Sequence, residues 1–465
     1  MESVGGLAMH EILSKLGARE TAIVSCVSRN FEEWASDDSL WAEFCARDLN
    51  LSSPLDPLGN LAPSFKTAYQ AWRKSFLMYS WPLVVRVKTC WGRIITWLDA
   101  NFPEVVPTLC KGATEDELDS LEKSLKLKLP LPTRLLYRFC NGQNLAQGEF
   151  APSFPGSPLG LIGGYSFYGH LVNVCLLPLD LVISVTGDIC DHLFPSAGPK
   201  YVVVAASTTE SEKYFFLNCA NGQLYVGTRN LFQDREMLPC VPPELIHSIH
   251  DAGDCQQQDA MLLWLEEHIR RLESGMIKVR VENNIRSINL FPEEPPLCST
   301  AVTNGVQVRA SALFVPEYSD LQLESDKYFF TYSIRMSLKP EGCIVDGMRF
   351  GSCQLYWRHW IIRENDEIVS DVNGEAVIGK HPLLHPGDKE FVYQSCSSQC
   401  LSQGSIEGSF TFVPGRILRQ DKLLGQAVDV EGCLSSLPFT CQHQNHHPLI
   451  LLVQSHLHLA YGIPD

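Results

Sequence analysis

What this 465-residue chain lacks narrows its function first. It has no excess of positive charge: 37 Lys and Arg stand against 53 Asp and Glu, a formal net charge of −16. Sequence-independent binding to nucleic acid or anionic lipid rests on basic surface, so neither is expected. No run reaches the roughly 18–20 uninterrupted apolar residues of a membrane span, and the first residues carry no basic segment ahead of an apolar one. A location in the cytoplasm and/or the nucleus is therefore expected. Cysteine is plentiful, at 17, but the number is odd and no Cys-x-x-Cys pair occurs. That pattern fits neither a disulfide framework nor a zinc ribbon, so reduced thiols are expected. Also missing are a Gly-x-Ser-x-Gly elbow, a Walker A loop, a His-Glu-x-x-His helix and the kinase set. No intrinsic catalysis and no cofactor are expected.

What is present describes a folded protein of several modules. Apolar residues make up 45% of the chain and charged residues 19%, a globular composition. The length exceeds what one core organises, which predicts two to four domains. Neither an internal repeat nor a low-complexity linker separates them. Residues 1–50 read as short packed helices: Leu7, Ile12, Leu13 and Leu16 fall near one helical face, Gly17 interrupts, and Ala22, Ile23, Cys26 and Val27 rebuild a second face. Phe31 and Trp34 follow, then Leu40-Trp41. This order, with Ile-Leu-x-x-Leu in the first helix and Cys-Val-Ser-Arg at 26–29, resembles an F-box, although Ala8 stands where a proline is common. The resemblance implies contact with a Skp1-like protein, through which a cullin is reached. The residues expected to make or support that contact are Leu7, Ile12, Leu13, Leu16, Val27, Leu40 and Trp41.

Residues 51–110 read as a helical connector in which Tyr69, Trp72, Phe76 and Tyr79 recur at three- to four-residue spacing, a core stripe. In residues 111–275, Thr114 with Glu117 forms a capping box ahead of Leu118, Leu121 and Leu125. A second helix carries Leu135, Leu136 and Phe139 and ends at Asn141-Gly142, and strands are expected over 161–165, 201–205 and 214–218. Thr-x-x-Glu-Leu-x-x-Leu-Glu followed by Leu-Pro-Leu-Pro and Asn-Gly resembles the Smi1/Knr4-like (SUKH) fold, an α/β protein-binding scaffold. A helix over 259–273 closes this unit, with Met261, Leu262, Leu265, His268, Ile269 and Leu272 on one face.

From 276 to 414 the chain reads as short strands between Gly, Pro, Asn and Asp turns. Residues 328–336 alternate with period two, which predicts a half-buried strand. The run 354–396, with Arg358-His359-Trp360, Gly374 and Gly379 five apart and then Pro386-Gly387, resembles the ApaG domain and implies a fibronectin-III-like β-sandwich. ApaG glycine turns have invited comparison with phosphate loops. Here Glu375 lies in the turn and no Lys-Ser/Thr follows, so a structural hairpin is favoured, with Arg358, His359, Gly374, Gly379 and Lys380 kept as a candidate anion or partner contact. His359 reads first as a hydrogen-bonded structural residue. Beyond 414 the likeness to ApaG ends, as a splice-derived tail would produce. The tail holds Cys433, Cys441, His443, His446, His447, His456 and His458 without a zinc-finger spacing, so no metal is expected. Its run 449–453 is β-compatible and could replace a lost closing strand.

The whole chain to about 414 resembles the plant Skp1-interacting F-box family. The expectation is an α+β protein with an F-box at 1–50, a SUKH-like domain at 111–275 and a sandwich at 276–414. The resemblance implies that it recruits an unidentified protein substrate to a Skp1–cullin–F-box ubiquitin ligase. A small-ligand or phosphate-binding protein, and a non-productive isoform with an incomplete ApaG domain, remain alternatives.

Overall fold

The computed structural model describes residues 5–144, 159–193, 200–207, 209, 213–282, 284–365, 367–417 and 437–439. The N-terminal helices are Gly6–Leu16, Ala18–Val24, Arg29–Trp34 and Asp38–Leu49. Polar side chains set their starts: the Ser28 hydroxyl accepts from the Phe31 amide and the Asp37 carboxylate from the Ser39 amide. The connector begins with Phe65–Ser75, whose Tyr69 and Trp72 are buried, as are Phe76 and Tyr79 just beyond, so the predicted aromatic stripe is core. Phe76 stacks on Phe139 with ring centroids 5.1 Å apart, tying the connector to the middle domain.

Sequence periodicity had not singled out the next element, the helix Trp81–Asn101. It buries Val84, Val87, Trp91, Ile94 and Leu98. Arg86 pairs with Glu266 at 2.6 Å and Arg93 with Glu273 at 2.5 Å, which fastens it along the helix Ala260–Glu273. One hydrophobic core runs without a break from Met9 and Leu13 through this helix into the middle domain.

The middle domain centres on an eight-stranded sheet in the order Met237–Pro239, Leu224–Gly227, Tyr214–Asn218, Tyr201–Ser207, His170–Leu176, Gly163–Phe167, Ile285–Asn289 and Lys278–Glu282. Neighbours are antiparallel except Gly163–Phe167 with Ile285–Asn289, which are parallel. The capping box at Thr114 forms, and its helix Glu115–Leu125 buries Leu118, Leu121 and Leu125. The next helix, Leu131–Phe139, is followed by the helix Leu179–Leu193 after three strands, and Ala260–Glu273 is capped by the Asp259 carboxylate. Trp264 lies 5.3 Å from Phe215 of the sheet. The hairpin Lys278–Glu282/Ile285–Asn289 extends this sheet, so the sandwich does not open at 276 as expected.

The sandwich has one sheet in the order Cys298–Thr303, Val306–Phe314, Tyr328–Leu338 and Phe391–Gln399. The other runs Glu367–Glu375, Cys353–Glu364, Ser405–Pro414 and Leu437–Phe439, with Leu383–Leu384 beside the second strand. Its interior holds Val308, Ile334, Met336, Leu355, Trp360 and Phe410. Tyr328–Leu338 is not half-buried. Thr331, Ser333 and Arg335 on its other face are also covered, because that face meets the middle domain, where Arg335 pairs with Glu282 at 2.6 Å.

Candidate protein-docking site

The N-terminal helices divide their apolar residues between two tasks. Met9 and Leu13, one turn apart, point into the core, where the Thr21 hydroxyl donates to the Leu13 carbonyl oxygen at 3.1 Å. Leu40 and Trp41 are buried too, and the Trp41 indole donates to the Ala35 carbonyl oxygen at 2.7 Å. Other apolar side chains of this region stay in solvent: Leu7 is 91% exposed and Val27 69%, with Ile12, Leu16 and Ile23 also exposed. Leu7, Ile12, Leu13 and Leu16, expected on one face, are therefore split by burial, with Leu13 in the core and the other three exposed. Of the expected contacts, Leu13, Leu40 and Trp41 lie in the core, and Leu7, Ile12, Leu16 and Val27 are exposed. Ile23, which is also exposed, was not among the expected contacts, although its four-residue spacing to Val27 was the available signal.

The glycine turn of the sandwich has different chemistry. Gly374 pairs with Arg358 across the strands Glu367–Glu375 and Cys353–Glu364. The Arg358 guanidinium donates to the carbonyl oxygens of Glu375 at 3.1 Å and Ala376 at 2.7 Å. Val377 and Lys380 exchange backbone bonds around Ile378 and Gly379, both with positive φ, which is a tight hairpin turn. Gly379 has φ +71°, where an L side chain would be strained. His359 lies 2.8 Å from the Asp371 carboxylate. Arg358 and the Val377 and Lys380 amides are thus spent on the turn itself and the histidine faces an acid, so the turn is built as a structural hairpin and not as an anion cradle. No His/Cys/Asp/Glu cluster able to hold a metal occurs among the described residues, and the tail Cys and His residues lie outside them.

Sequence reasoning also missed a buried polar cluster where the sandwich meets the middle domain. Glu317, in the turn Pro316–Tyr318, accepts from the Tyr165 hydroxyl at 2.6 Å and the Lys213 ammonium at 3.0 Å, and lies 3.0 Å from His170 Nε2. Burial would raise the Glu317 carboxyl, but the Lys213 charge and the bonds from His170 and Tyr165 outweigh it and hold the group at about 2. Burial pulls Lys213 below the usual lysine range against the opposing pull of Glu317.

Residues 318–414 match the ApaG domain family. Over 418 residues the chain is 57% identical to F-box protein SKIP16 of Arabidopsis thaliana, covering 90% of this chain and 94% of that one. The chain belongs to the F-box proteins. Human F-box only protein 3 is 26% identical over 419 residues, 86% of this F-box protein and 76% of its own length. Protein ApaG of Dechloromonas aromatica is 37% identical over 108 residues, 23% of the F-box protein and 76% of the bacterial one. The F-box protein therefore combines an N-terminal helical region with a C-terminal ApaG sandwich, the α+β architecture expected.

Proposed function

We propose that this chain is the substrate-recruiting adaptor of a Skp1–cullin–F-box ubiquitin ligase, acting in the cytoplasm and/or nucleus. Leu7, Ile12, Leu16, Ile23 and Val27 bind a Skp1-like protein, while the middle domain, read as SUKH-like, and the ApaG sandwich hold the target. The adaptor is not itself an enzyme, and conjugation chemistry is supplied by a separate protein. The observation that carries this reading is the group of exposed aliphatics gathered in the first 27 residues, around helices that bury Met9 and Leu13: large hydrocarbon side chains left in water so close together mark a partner surface. The continuous core from these helices into the middle domain supports it further, since a ligase adaptor must hold its two ends at a fixed separation.

The test is co-purification with a Skp1-like protein. Ile12→Asp with Leu16→Asp should abolish capture without altering the thermal midpoint, because both side chains are exposed. Leu13→Ala should instead lower stability by about 2–5 kcal/mol, as buried leucines do. Undiminished capture by the double variant would sink the assignment.

A further inference from the structure

The strand Glu367–Glu375, Glu-Ile-Val-Ser-Asp-Val-Asn-Gly-Glu, ends its sheet and has one neighbour among the described residues, Cys353–Glu364. Sandwich strands bury alternate side chains, yet no residue of this one is buried. Val372 shares its face with Trp360, which is buried against Phe410, but Val372 itself is 39% exposed. The inward face of the sheet therefore overhangs the opposing sheet by a whole strand. Ile368 and Val369 on the same strand are 54% and 50% exposed. The register shifts opposite Ile362 and Arg363, leaving Val369 out of step, so the regular open edge is 370–375.

Charge decides what can cover it. Asp371 and Glu375 lie four apart on one face of the regular edge, Glu367 lies beyond the register shift, and Glu367 and Glu375 form no ion pair among the described residues. A second copy pairing edge to edge would oppose carboxylate to carboxylate, which is destabilising. We propose that Glu367–Glu375 docks an extended segment of a protein partner by strand addition, one in which Lys or Arg alternates with β-branched residues. Main-chain bonds to the open edge supply binding that any strand could share, and the Asp371 and Glu375 carboxylates, with Glu367 at the strand's start adding to the negative field, select the basic one. The proposal rests on the adaptor reading only for the guest's role, that of a ligase target. Peptide binding needs no Skp1, so its failure and the failure of that reading are separate results.

The probe is a fluorescent nonapeptide, Lys-Val-Thr-Val-Lys-Val-Thr-Val-Lys, titrated into the full chain. Its controls replace Lys by Glu or N-methylate alternate backbone amides. The Lys peptide should bind at least about tenfold more tightly than either control and slow hydrogen exchange at 367–375. In the triple variant Glu367→Lys, Asp371→Lys and Glu375→Lys, which alters exposed residues alone, the preference between Lys and Glu peptides should invert. The proposal is overturned if the Lys peptide does not bind, if N-methylation changes nothing, if binding leaves exchange at 367–375 unaltered, or if the triple variant keeps the Lys preference. It is also overturned if the edge amides are already fully protected in the free chain, since another part of the chain would then occupy the edge.

Discussion

Lys213 and Glu317 illustrate how much one residue can carry. Removing two charges from water costs several kcal/mol each, offset here by their mutual attraction and by Tyr165 and His170. Glu317→Gln leaves the Lys213 ammonium buried without its countercharge and should destabilise the protein by about 3–5 kcal/mol, measured by denaturant unfolding. Lys213→Met combined with Glu317→Leu should recover a large part of that loss, because no buried charge then remains. Acid should weaken the fold by two routes with the same sign. Burial holds the His268 imidazole down at about 4, its Nε2 donating to the Leu161 carbonyl oxygen at 3.0 Å, whereas the unfolded ring titrates near about 6.5. The unfolded chain therefore takes up this proton first, and stability falls as pH drops from about 6.5 towards 4. Glu317, held at about 2 against about 4.3 when unfolded, adds a second loss below that value. Midpoints measured against pH should show both stages, and His268→Gln should remove the first.

At the scale of elements, legibility followed how many sides of a segment are covered. The helix Glu115–Leu125 was readable because one face is buried and its cap is local; Thr114→Ala should cost about 1 kcal/mol in thermal unfolding. Trp81–Asn101 was not readable. It contains Val84, Val85, Val87, Thr89, Gly92, Ile94, Ile95 and Thr96, which are weak helix formers, and tertiary packing overrides propensity. It also touches both the N-terminal helices and the middle domain, which blurs the single apolar stripe that periodicity detects. The hairpin Lys278–Glu282/Ile285–Asn289 was read as strands but assigned to the wrong sheet, since period two reveals a strand and not its neighbour. The candidate docking surface was legible in composition and not in which of its residues are exposed. Spacing alone did not divide Leu13 from Leu16, because the boundary between core and solvent depends on which helices arrive opposite.

For the whole molecule, the outcome turns on how the sandwich is closed after Pro414. The sequence led to the expectation of a missing final strand, with 449–453 as its substitute, and those residues lie outside the described ones. In the structure Leu437–Phe439 takes a place beside Ser405–Pro414, pairing antiparallel at Ile406, Glu407 and Gly408. Three residues cover one end of a ten-residue strand, so the rest of that edge, 409–414, gains no partner from this pairing. Nearby, the Gln399 Oε1 atom is buried without a hydrogen-bond partner, and a small cavity of about 20 Å³ opens between Phe330, Tyr332, Ile334 and Ile406. Both are what an incompletely closed sandwich would leave, because an unmade buried bond and lost packing each destabilise by about 1–3 kcal/mol. Extending the pairing to a full strand should therefore raise the thermal midpoint of the chain and slow hydrogen exchange across 405–414. Ending the chain at 417 should lower the midpoint only slightly, since each backbone bond nets about 0.5–1.5 kcal/mol and few are formed. Skp1 capture, which the proposed function places at the opposite end of the sequence, should be the same in all three chains. An unchanged midpoint in the extended chain would mean that Leu437–Phe439 already closes the sandwich, and the divergent tail would then be a structural substitute, not a defect.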